Sequence, residues 1–583
     1  MSAALRVGVA AAFTGLIATF AGVAHAQYPF CADDGVCAFP ETCSTCPNDC
    51  GSCEVLDLPG QVAKYVDRTC SEAGDGLVDQ CAGGPGQPGR FNDLQAALDS
   101  LAPGETLFVH PGDYYQPQGP FLIQGMGTAD APIVITAADR NAPPLIHSWD
   151  PAAPTNNAAS HAALTGAEQP IAHVVIDHLA IDGLLAIHGD GMRVQNVDCT
   201  HGWEVCDGNW SCIRLEACND CVAHHNFVHD VQDSTGHCAS SPNAPREAGF
   251  KEFDCQRAIW EFNTVVSTAQ WGYDLHRSSA TPVARFNLFR DAGPVTSIRM
   301  NRSSDMMAYG NVVVGGGACV AFIAEDPGNG FTNLVDHNTC LGTGGGIAVE
   351  PFSPTVVTNN VVAFLPPSDA ESVNLVAPPP EDGVPHTIDF NAYDATSRWV
   401  EIQYDGTYYD TLEAWRTATT YDASSIAAPD TPCTFVDVPA DPSDDAFDLR
   451  MNGGACATAS DAASEVGACA FGCVGRACEA CGGEPPGSAT SSNASTGAGG
   501  DATGSGAGAG AGAGEGGANE GGAGGSSEED GGEEGCSCST PRPDRRPGAL
   551  GLALLSLLSV RRRLRSPKTV SPSPHRNPLN SGP

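Results

Sequence analysis

Residues 263–314 read NTVVSTAQWGYDLHRSSATPVARFNLFRDAGPVTSIRMNRSSDMMAYGNVVV, and one short pattern returns along them. Each return begins at an asparagine, continues with β-branched or apolar residues and ends in a polar or Gly-rich turn. From residue 263 these asparagines lie at 263, 287, 311, 338 and 360, with spacings of 24, 24, 27 and 22 residues. A period in this range is typical of a solenoid, whose units bury their apolar faces against their neighbours. Because the apolar residues alternate at period two without a helical pattern, the sequence predicts a β-solenoid.

The same asparagine landmark can be followed backwards to Asn226 and Asn196. Asparagine suits turns that need left-handed or bridging backbone, and its amide can stack between successive coils. Parallel strand crossovers are right-handed in about 98% of cases. The sequence therefore predicts an all-β fold, a right-handed parallel β-helix, in which the asparagines are structural and not catalytic.

The chain divides by composition into five segments. Residues 1–26 have the features of a secretory signal peptide, with an apolar run ahead of Ala24-His25-Ala26. Residues 27–55 form a cysteine-rich module, and residues 56–481 the β-helix with its opening and closing segments. Residues 482–535 are a Gly/Ala/Ser-rich acidic linker with too little apolar surface to fold. Residues 536–583 form a tail with a short apolar run and an arginine cluster.

Charge restricts the partners of this chain. A formal net charge of −41 disfavours nucleic acid and anionic membrane surfaces. An acidic polysaccharide remains compatible through a local basic patch or bridging cations, and the predicted protein is an exported monomer that meets a membrane only through its C-terminal tail. Twenty-five cysteines in an exported chain predict disulfides.

Two segments are dense in potential metal ligands. Residues 31–53 contain six cysteines, and residues 199–255 contain seven together with five histidines. Zinc is the alternative in both places, but an oxidising compartment favours disulfides. Seven cysteines cannot all pair among themselves, so one in the second segment pairs elsewhere or remains a thiol.

Residues 90–142 contain RFNDLQAALDSLAPGETLFVHPGDYY and, further on, GTADAPIVITAADRNA. Leu94, Ala97, Leu98 and Leu101 lie at helical spacing ahead of a predicted strand at 106–110, so an amphipathic helix is expected to feed the first strand and cap the solenoid. These residues resemble the opening of the pectate-lyase-like superfamily of right-handed parallel β-helices. The resemblance spans about residues 90 to 475 and implies the fold much more than the chemistry.

Both ends of the chain carry a second resemblance. The cysteine-rich module is similar to modules at the start of exported myxobacterial proteins. Cys536-Ser537-Cys538, the apolar run 548–560 and the arginines at 561–563 and 565 resemble the MYXO-CTERM sorting tail. That resemblance implies processing near the two cysteines and display at the cell surface.

Candidate chemistry follows from the strand alternation. With Tyr273, Leu275, Ile298 and Met300 pointing inward, we expect the residues between them to point outward, in a mixed charged row like the one on which polysaccharide lyases of this fold place a base and calcium ligands. A lyase needs a base and cationic groups that neutralise the developing enolate. The candidates are Lys251, Arg277 and Arg299 for catalysis, Asp274, His276 and Asn301 for substrate binding, and Glu325, Asp326 and Glu350 for Ca²⁺.

Lysine is so scarce that the base is assigned by elimination. The other two lysines are Lys64, expected to precede the solenoid, and Lys568 in the tail. Three alternatives stay open: an ordinary solvated strand face, which any soluble solenoid shows; a glycoside hydrolase, disfavoured because the polygalacturonase motifs are missing; and a glycan-binding solenoid without catalysis. In the last, Trp203, Trp210, Trp260 and Trp271 would either stack on sugar rings or be buried.

Overall fold

The computed structural model divides into two units, Met1–Ala494 and Ser495–Pro583. All residues whose structure is described lie in the first unit. They are residues 41–43, 50, 53, 61–148, 150, 162–166, 171–201, 211–231, 248–268, 270–276, 280–293, 295–301, 303–323, 332–349, 353–363, 373–378, 384–394, 398–401, 407–428, 435–437 and 448–451. The signal peptide, linker and tail predictions fall outside these residues, as does most of the cysteine-rich module.

Three long sheets, here named A, B and C, run side by side along the described part of the chain. The strands of sheet A are Val62–Val66, Glu105–Val109, Ile133–Ala137, Val174–Asp177, Arg193–Gln195, Val222–His224, Ile259–Glu261, Val283–Arg285, Met307–Tyr309, Asn333–Asp336, Thr355–Thr358 and Thr387–Asp389. The strands of sheet B are Asp113–Tyr114, Leu145–His147, Ala180–Asp182, Asp198–Thr200, Phe227–Val231, Thr264–Thr268, Leu288–Ala292, Val312–Val314, Thr339–Leu341, Val361–Ala363, Ala392–Asp394 and Ile426–Ala428.

Sheet C contains the longest strands of the central coils. Its strands are Phe121–Ile123, Leu164–Gly166, Leu185–Asp190, Ser211–Glu216, Ala248–Phe253, Trp271–His276, Thr296–Asn301, Ala318–Ile323, Gly345–Val349, Val373–Ala377, Arg398–Glu401 and Thr407–Tyr409, with Ile171–Ala172 pairing beside Leu185–Asp190. From Glu105–Val109 to Arg398–Glu401, each coil therefore contributes one strand to each sheet in turn, and successive coils pair in parallel. The predicted parallel β-helix is confirmed.

Only the closing segment departs from parallel pairing among the described strands. Thr407–Tyr409 pairs antiparallel with Arg398–Glu401, and Phe435–Asp437 pairs antiparallel with Asp448–Met451. Within the described residues, no helix is long and apolar enough to cross a membrane.

A ladder of asparagine side chains holds the coils together at the turn between sheets A and B. It consists of Asn226, Asn263, Asn287, Asn311, Asn338, Asn360 and Asn391, all buried. From Asn263 onward, each Oδ1 accepts from the backbone N–H and the Nδ2 of the asparagine one coil earlier, as in Asn263 N and Nδ2 to Asn287 Oδ1, both at 3.0 Å. Each bond satisfies a buried polar group that would otherwise be costly. The predicted stacking of side-chain amides is confirmed.

The left-handed backbone at this turn belongs to the residue before each ladder asparagine. Phe262 and Phe286 have φ of 55° and 54°, and Asn196 has a φ of 53° at the equivalent place. The ladder position of that coil is Val197, whose N–H donates to Asn226 Oδ1 at 3.0 Å. The expectation that Asn196 is part of the same series, and that the repeating asparagine itself takes the left-handed conformation, is therefore wrong by one residue.

The core lies inside the three sheets and follows the predicted alternation. Tyr273, Leu275, Ile298 and Met300 are fully buried, and Ile213, Leu215, Ile347 and Val349 continue the same two inward columns. Each apolar side chain thus packs on its equivalents one coil above and below, which is how a solenoid buries a continuous core.

Helices cover parts of the described ends. Helix α1 (Leu94–Asp99) begins at Asp93, whose side chain accepts from Ala96 N, and packs against the first strands of sheets A and C. The predicted capping helix is present, but the Val62–Val66 strand precedes it, so Lys64 does not lie before the solenoid as expected. Lys64 belongs to the first strand of sheet A, where its Nζ lies 2.7 Å from Glu105.

Helix α2 (Leu412–Thr419) lies in the closing segment ahead of the last strand of sheet B. Its buried Trp415 donates from Nε1 to Asp422, 2.9 Å away, which also accepts from Tyr393 Oη at 3.0 Å. This network ties the closing segment to the coil before it, because Asp422 is itself fully buried.

Four disulfides join cysteines in the described residues: Cys43–Cys53, Cys70–Cys81, Cys199–Cys212 and Cys319–Cys340. The expectation of disulfides is confirmed at these pairs. The described residues of the cysteine-rich module contact the outer face of sheet A, where Thr42 donates to Glu261 and the Cys53 carbonyl accepts from Gln195 Nε2 at 3.2 Å.

Candidate active site

The charged residues singled out from the sequence lie in one outward column of sheet C. From coil to coil the same register position is occupied by Ala186, Arg214, Lys251, Asp274, Arg299, Ala321 and Ala348. Neighbouring strands in a sheet are about 4.8 Å apart, so the four charged side chains occupy four successive steps of the stack. Alanines bound the charged part of the column on both sides.

Lys251 and Asp274 form an ion pair closed off from solvent. Lys251 Nζ lies 3.3 Å from Asp274 Oδ2, and the two side chains are 0% and 1% exposed. The other carboxylate oxygen of Asp274 accepts from Arg299 Nη1 at 3.2 Å. Arg299 is 20% exposed, so the guanidinium reaches the surface beside a buried amine. The alternative of an ordinary solvated strand face is therefore wrong for Lys251 and Asp274.

Aromatic rings surround the ammonium group. Lys251 Nζ lies 5.5 Å from the ring centroids of both Phe253 and Trp271. Arg214 and Arg299 lie over the same two rings, at 5.1 Å from Phe253 and 4.8 Å from Trp271. Cations at these distances from a ring are attracted by its quadrupole. The two rings thus contribute to holding three cations in one row.

Burial dominates the acid–base behaviour of Lys251. It lowers the pKa of the amine to about 8, because removal from water disfavours the charged form. Asp274 opposes this shift through its charge and its hydrogen bond, whereas Arg214 and Arg299 add to it. The result is an amine that exchanges its proton close to neutral pH, an arrangement found at functional sites more often than elsewhere.

A second outward column contains groups that the sequence interpretation did not include in the site. His188 and Glu216 occupy equivalent positions on successive strands, and His188 Nε2 lies 2.9 Å from Glu216 Oε2. The other oxygen of Glu216 contacts Arg214. Burial, with the charge of Arg214, lowers the pKa of His188. Arg214 and Lys251 are 37 positions apart in the sequence, against 22 to 27 in the regular coils, and this long coil conceals their shared register.

The remaining predicted site residues fall into two groups. His276 and Asn301 pair in register with each other, two residues beyond Asp274 and Arg299 on the same strands. The Asn301 side chain is buried. Arg277, Glu325, Asp326 and Glu350 lie outside the described residues, so their proposed roles stay predictions.

No calcium-type ligand set accompanies Lys251 in the described part of the chain. The groups of three potential metal ligands found there are Cys43/Cys53/His224 and Asp67/Cys70/Cys81. Each includes two cysteines that form a disulfide with each other, so neither offers thiolates to a metal. These residues do not fit a metal ion.

One carboxylate next to the site points into the core. Glu252 is fully buried and accepts from Trp260 Nε1 at 2.9 Å and from Tyr273 Oη at 2.7 Å. Trp260 therefore serves the interior of the β-helix and is not a sugar-stacking surface. Trp271 is 8% exposed and lies against the two cations described above.

Comparison with known proteins gives distant likenesses in shape. No family model and no curated protein matches it. Pectate lyase Pel9A matches with 14% identity and a TM-score of 0.40, over 70% of this chain and 97% of that one. A mannuronic-acid-specific family 6 polysaccharide lyase from human gut microbiota matches with 13% identity and a TM-score of 0.35, over 52% of this chain and 63% of that one.

A lacto-N-biosidase is among the matches as well. The lacto-N-biosidase of family GH136 from Eubacterium ramulus matches with 14% identity and a TM-score of 0.29, over 54% of this chain and 66% of that one. Because these likenesses are distant, the functional argument rests on the side chains of sheet C.

Proposed function

We propose that this protein is a polysaccharide lyase that cleaves a uronic-acid-containing glycan by β-elimination, with Lys251 as the base. The observation that carries the proposal is a fully buried amine paired with Asp274 and flanked along one column by Arg214 and Arg299. Burial lowers the pKa of this amine to about 8. At pH 8 about half of the Lys251 amines are neutral, whereas an ordinary lysine with a pKa of about 10.4 is about 0.4% neutral. Burial thus increases the available base roughly a hundredfold.

The local charge supports an acidic substrate. The chain as a whole carries −41, which repels a polyanion, yet three of its few cationic side chains share one column of sheet C. Arg214 and Arg299 are 24% and 20% exposed, so their guanidinium groups can donate hydrogen bonds to a substrate carboxylate at the surface. Binding through such a patch weakens as salt screens it.

Each group then has a defined task in elimination. The neutral Lys251 amine removes the proton on the carbon next to the uronate carboxylate and becomes an ammonium. Arg214 and Arg299 hold the carboxylate and neutralise the negative charge that develops on it. The glycosidic oxygen at the neighbouring carbon leaves with the bonding electrons and takes a proton from water, and a carbon–carbon double bond forms in the sugar ring.

Access to the amine is part of the proposal. Because the Lys251 side chain is 0% exposed, the substrate first meets Arg214 and Arg299, and the side chains over Nζ shift when the glycan binds. Phe253 and Trp271 are the described aromatic neighbours of Nζ, and their displacement would bring the amine to the bound sugar.

Calcium enters this proposal only through Glu325, Asp326 and Glu350. Carboxylates are the ligands that calcium prefers. No step above depends on the metal. Titration of activity with a chelator, followed by recovery with calcium, tests this part separately.

Export and surface display complete the proposal. The four disulfides are compatible with an oxidising compartment, and the signal peptide and sorting tail expected from the sequence account for delivery and anchoring. Fractionation of cells that produce the full chain, with and without residues 536–583, tests the anchoring.

The enzymatic test is a panel of uronic-acid polymers, each assayed for the ultraviolet absorbance of an unsaturated uronate. We expect product from the native protein and a loss of at least a thousandfold in Lys251→Met. Arg257→Gln is the matched control, since it removes an exposed ion pair with Asp220 outside sheet C. Retention of a glycan without product would indicate a non-catalytic binding solenoid instead.

A further inference from the structure

Three cysteine side chains meet inside the β-helix next to the candidate site. Cys218 and Cys255 follow the strands that carry Arg214 and Lys251, and Cys221 lies three residues after Cys218. All three are fully buried and are thiols in the structure. None of them takes part in the proposed elimination.

Cys218 and Cys255 have the placement of a disulfide pair. Asn219 and Gln256 form a parallel bridge, so the cysteines directly before them occupy equivalent positions on successive coils. Neighbouring strands lie about 4.8 Å apart, within the Cα–Cα range of about 4.4–6.8 Å that disulfides span. The two Sγ atoms are 2.7 Å apart. A bonded pair lies at about 2.05 Å, so only a small movement separates this contact from a bond.

Cys221 also contacts Cys218, but it makes a further hydrogen bond that the other two cysteines do not make. Its Sγ donates to the Gly189 carbonyl at 3.2 Å, which directs the thiol towards the preceding coil. It is therefore the thiol left over when the other two pair, and it accounts for one cysteine of an odd-numbered set between residues 199 and 255.

We propose that Cys218 and Cys255 form a disulfide in the mature protein and that Cys221 remains a buried thiol. The electron acceptor is a reactive disulfide, of a thiol–disulfide oxidoreductase or a small molecule. The thiolate of one cysteine attacks the acceptor and expels one of its thiolates. The second cysteine, on losing its proton, attacks the resulting mixed disulfide and expels the other, so two thiols are oxidised and one disulfide is reduced to two thiols.

The Cys218–Cys255 disulfide forms during folding and not in the folded protein. Burial raises the pKa of both the Cys218 and the Cys255 thiols, so thiolates are scarce once the coils have closed. Exchange with an external disulfide also needs an accessible sulfur. The bond therefore forms before the coils close and is afterwards shielded from reductant.

The disulfide joins the two coils that carry Arg214 and Lys251, two residues beyond each strand. With Cys199–Cys212 at the start of the Ser211–Glu216 strand, that coil is then covalently held at both ends of its sheet C strand. The staple closes a loop of 37 residues, including the long segment between the two strands.

Peptide mapping tests the pairing on the native chain. Protein denatured in excess alkylating reagent without reductant is cleaved by trypsin and by a protease that cuts before aspartate. The cut before Asp220 separates Cys218 from Cys221. We expect residues 215–219 (LEACN) linked to residues 254–257 (DCQR), and Cys221 carrying the alkyl group.

Alkylated Cys218 or Cys255 would overturn the proposal, as would a link from residues 254–257 to the fragment that contains Cys221. A variant comparison adds a second readout. Cys221→Ala should leave the linked peptide in place and the melting temperature nearly unchanged. The double variant Cys218→Ala/Cys255→Ala should melt several degrees lower, and equal melting temperatures for the two variants would contradict the staple.

Discussion

Replacing Asn287 by alanine removes one rung from the middle of the asparagine ladder. Its Oδ1 accepts from the N–H and the Nδ2 of Asn263, both at 3.0 Å, and its Nδ2 donates to Asn311 Oδ1 and to the Trp260 carbonyl at 3.0 and 2.9 Å. The Asn263 N–H is then left buried without its acceptor, which costs about 1–3 kcal/mol, and the other lost bonds add about 1 kcal/mol each. We therefore expect a loss of about 4–6 kcal/mol in the free energy of unfolding.

Chemical unfolding followed by circular dichroism measures this loss, and two further variants separate its causes. Asn196→Gly is the matched control, since Asn196 lies outside the ladder and loses a single bond to Asp177, for about 1 kcal/mol. Asn287→Asp has the same shape but cannot donate when ionised, so it should be much less stable than the native protein at pH 7 and recover in acid. An Asn287→Asp variant as stable as the native protein at pH 7 would refute the hydrogen-bond explanation.

Three further outcomes concern titrating groups. In Asp274→Asn the pKa of Lys251 falls, because Asp274 raises it, so the rise of kcat/KM with pH should move to lower pH. In Arg299→Gln the rise of kcat/KM with pH should move to higher pH, because Arg299 lowers the pKa of Lys251. If the two variants shifted the profile in the same direction, or each in the direction opposite to the one expected, Lys251 would not be the group that titrates. Asp198 and Asp230 raise the pKa of His229 to about 9, so its contribution to stability should fade between about pH 6.5 and 9, and His229→Gln should unfold without that dependence.

The fold could be predicted from the sequence because each coil repeats the same short pattern of neighbouring residues. Alternation alone assigned Tyr273, Leu275, Ile298 and Met300 to the interior, and all four are buried. The asparagine spacing gave the coil length, since every ladder rung needs the same side chain one coil later. Asn196 was misassigned because an asparagine also suits the left-handed residue that precedes the ladder position.

The candidate site was only partly predictable because it depends on contacts between coils of unequal length. Alternation placed Lys251 outside the core, but its burial results from packing near Phe253 and Trp271, which belong to other columns. Arg214 was missed as a site residue because the long coil between it and Lys251 breaks the period. Side-chain packing between coils of unequal length cannot be predicted from the spacing of a repeat.

The most direct test of the proposed lyase is kcat/KM of Lys251→Arg on the polymer that the native protein cleaves. Arginine retains the positive charge next to Asp274 but stays protonated at any working pH, so it cannot act as a base. We expect unsaturated product to fall at least a thousandfold while the glycan is still retained and the circular dichroism spectrum is unchanged. Activity within about tenfold of native would correspond to a barrier change of only about 1.4 kcal/mol and would contradict Lys251 as the base.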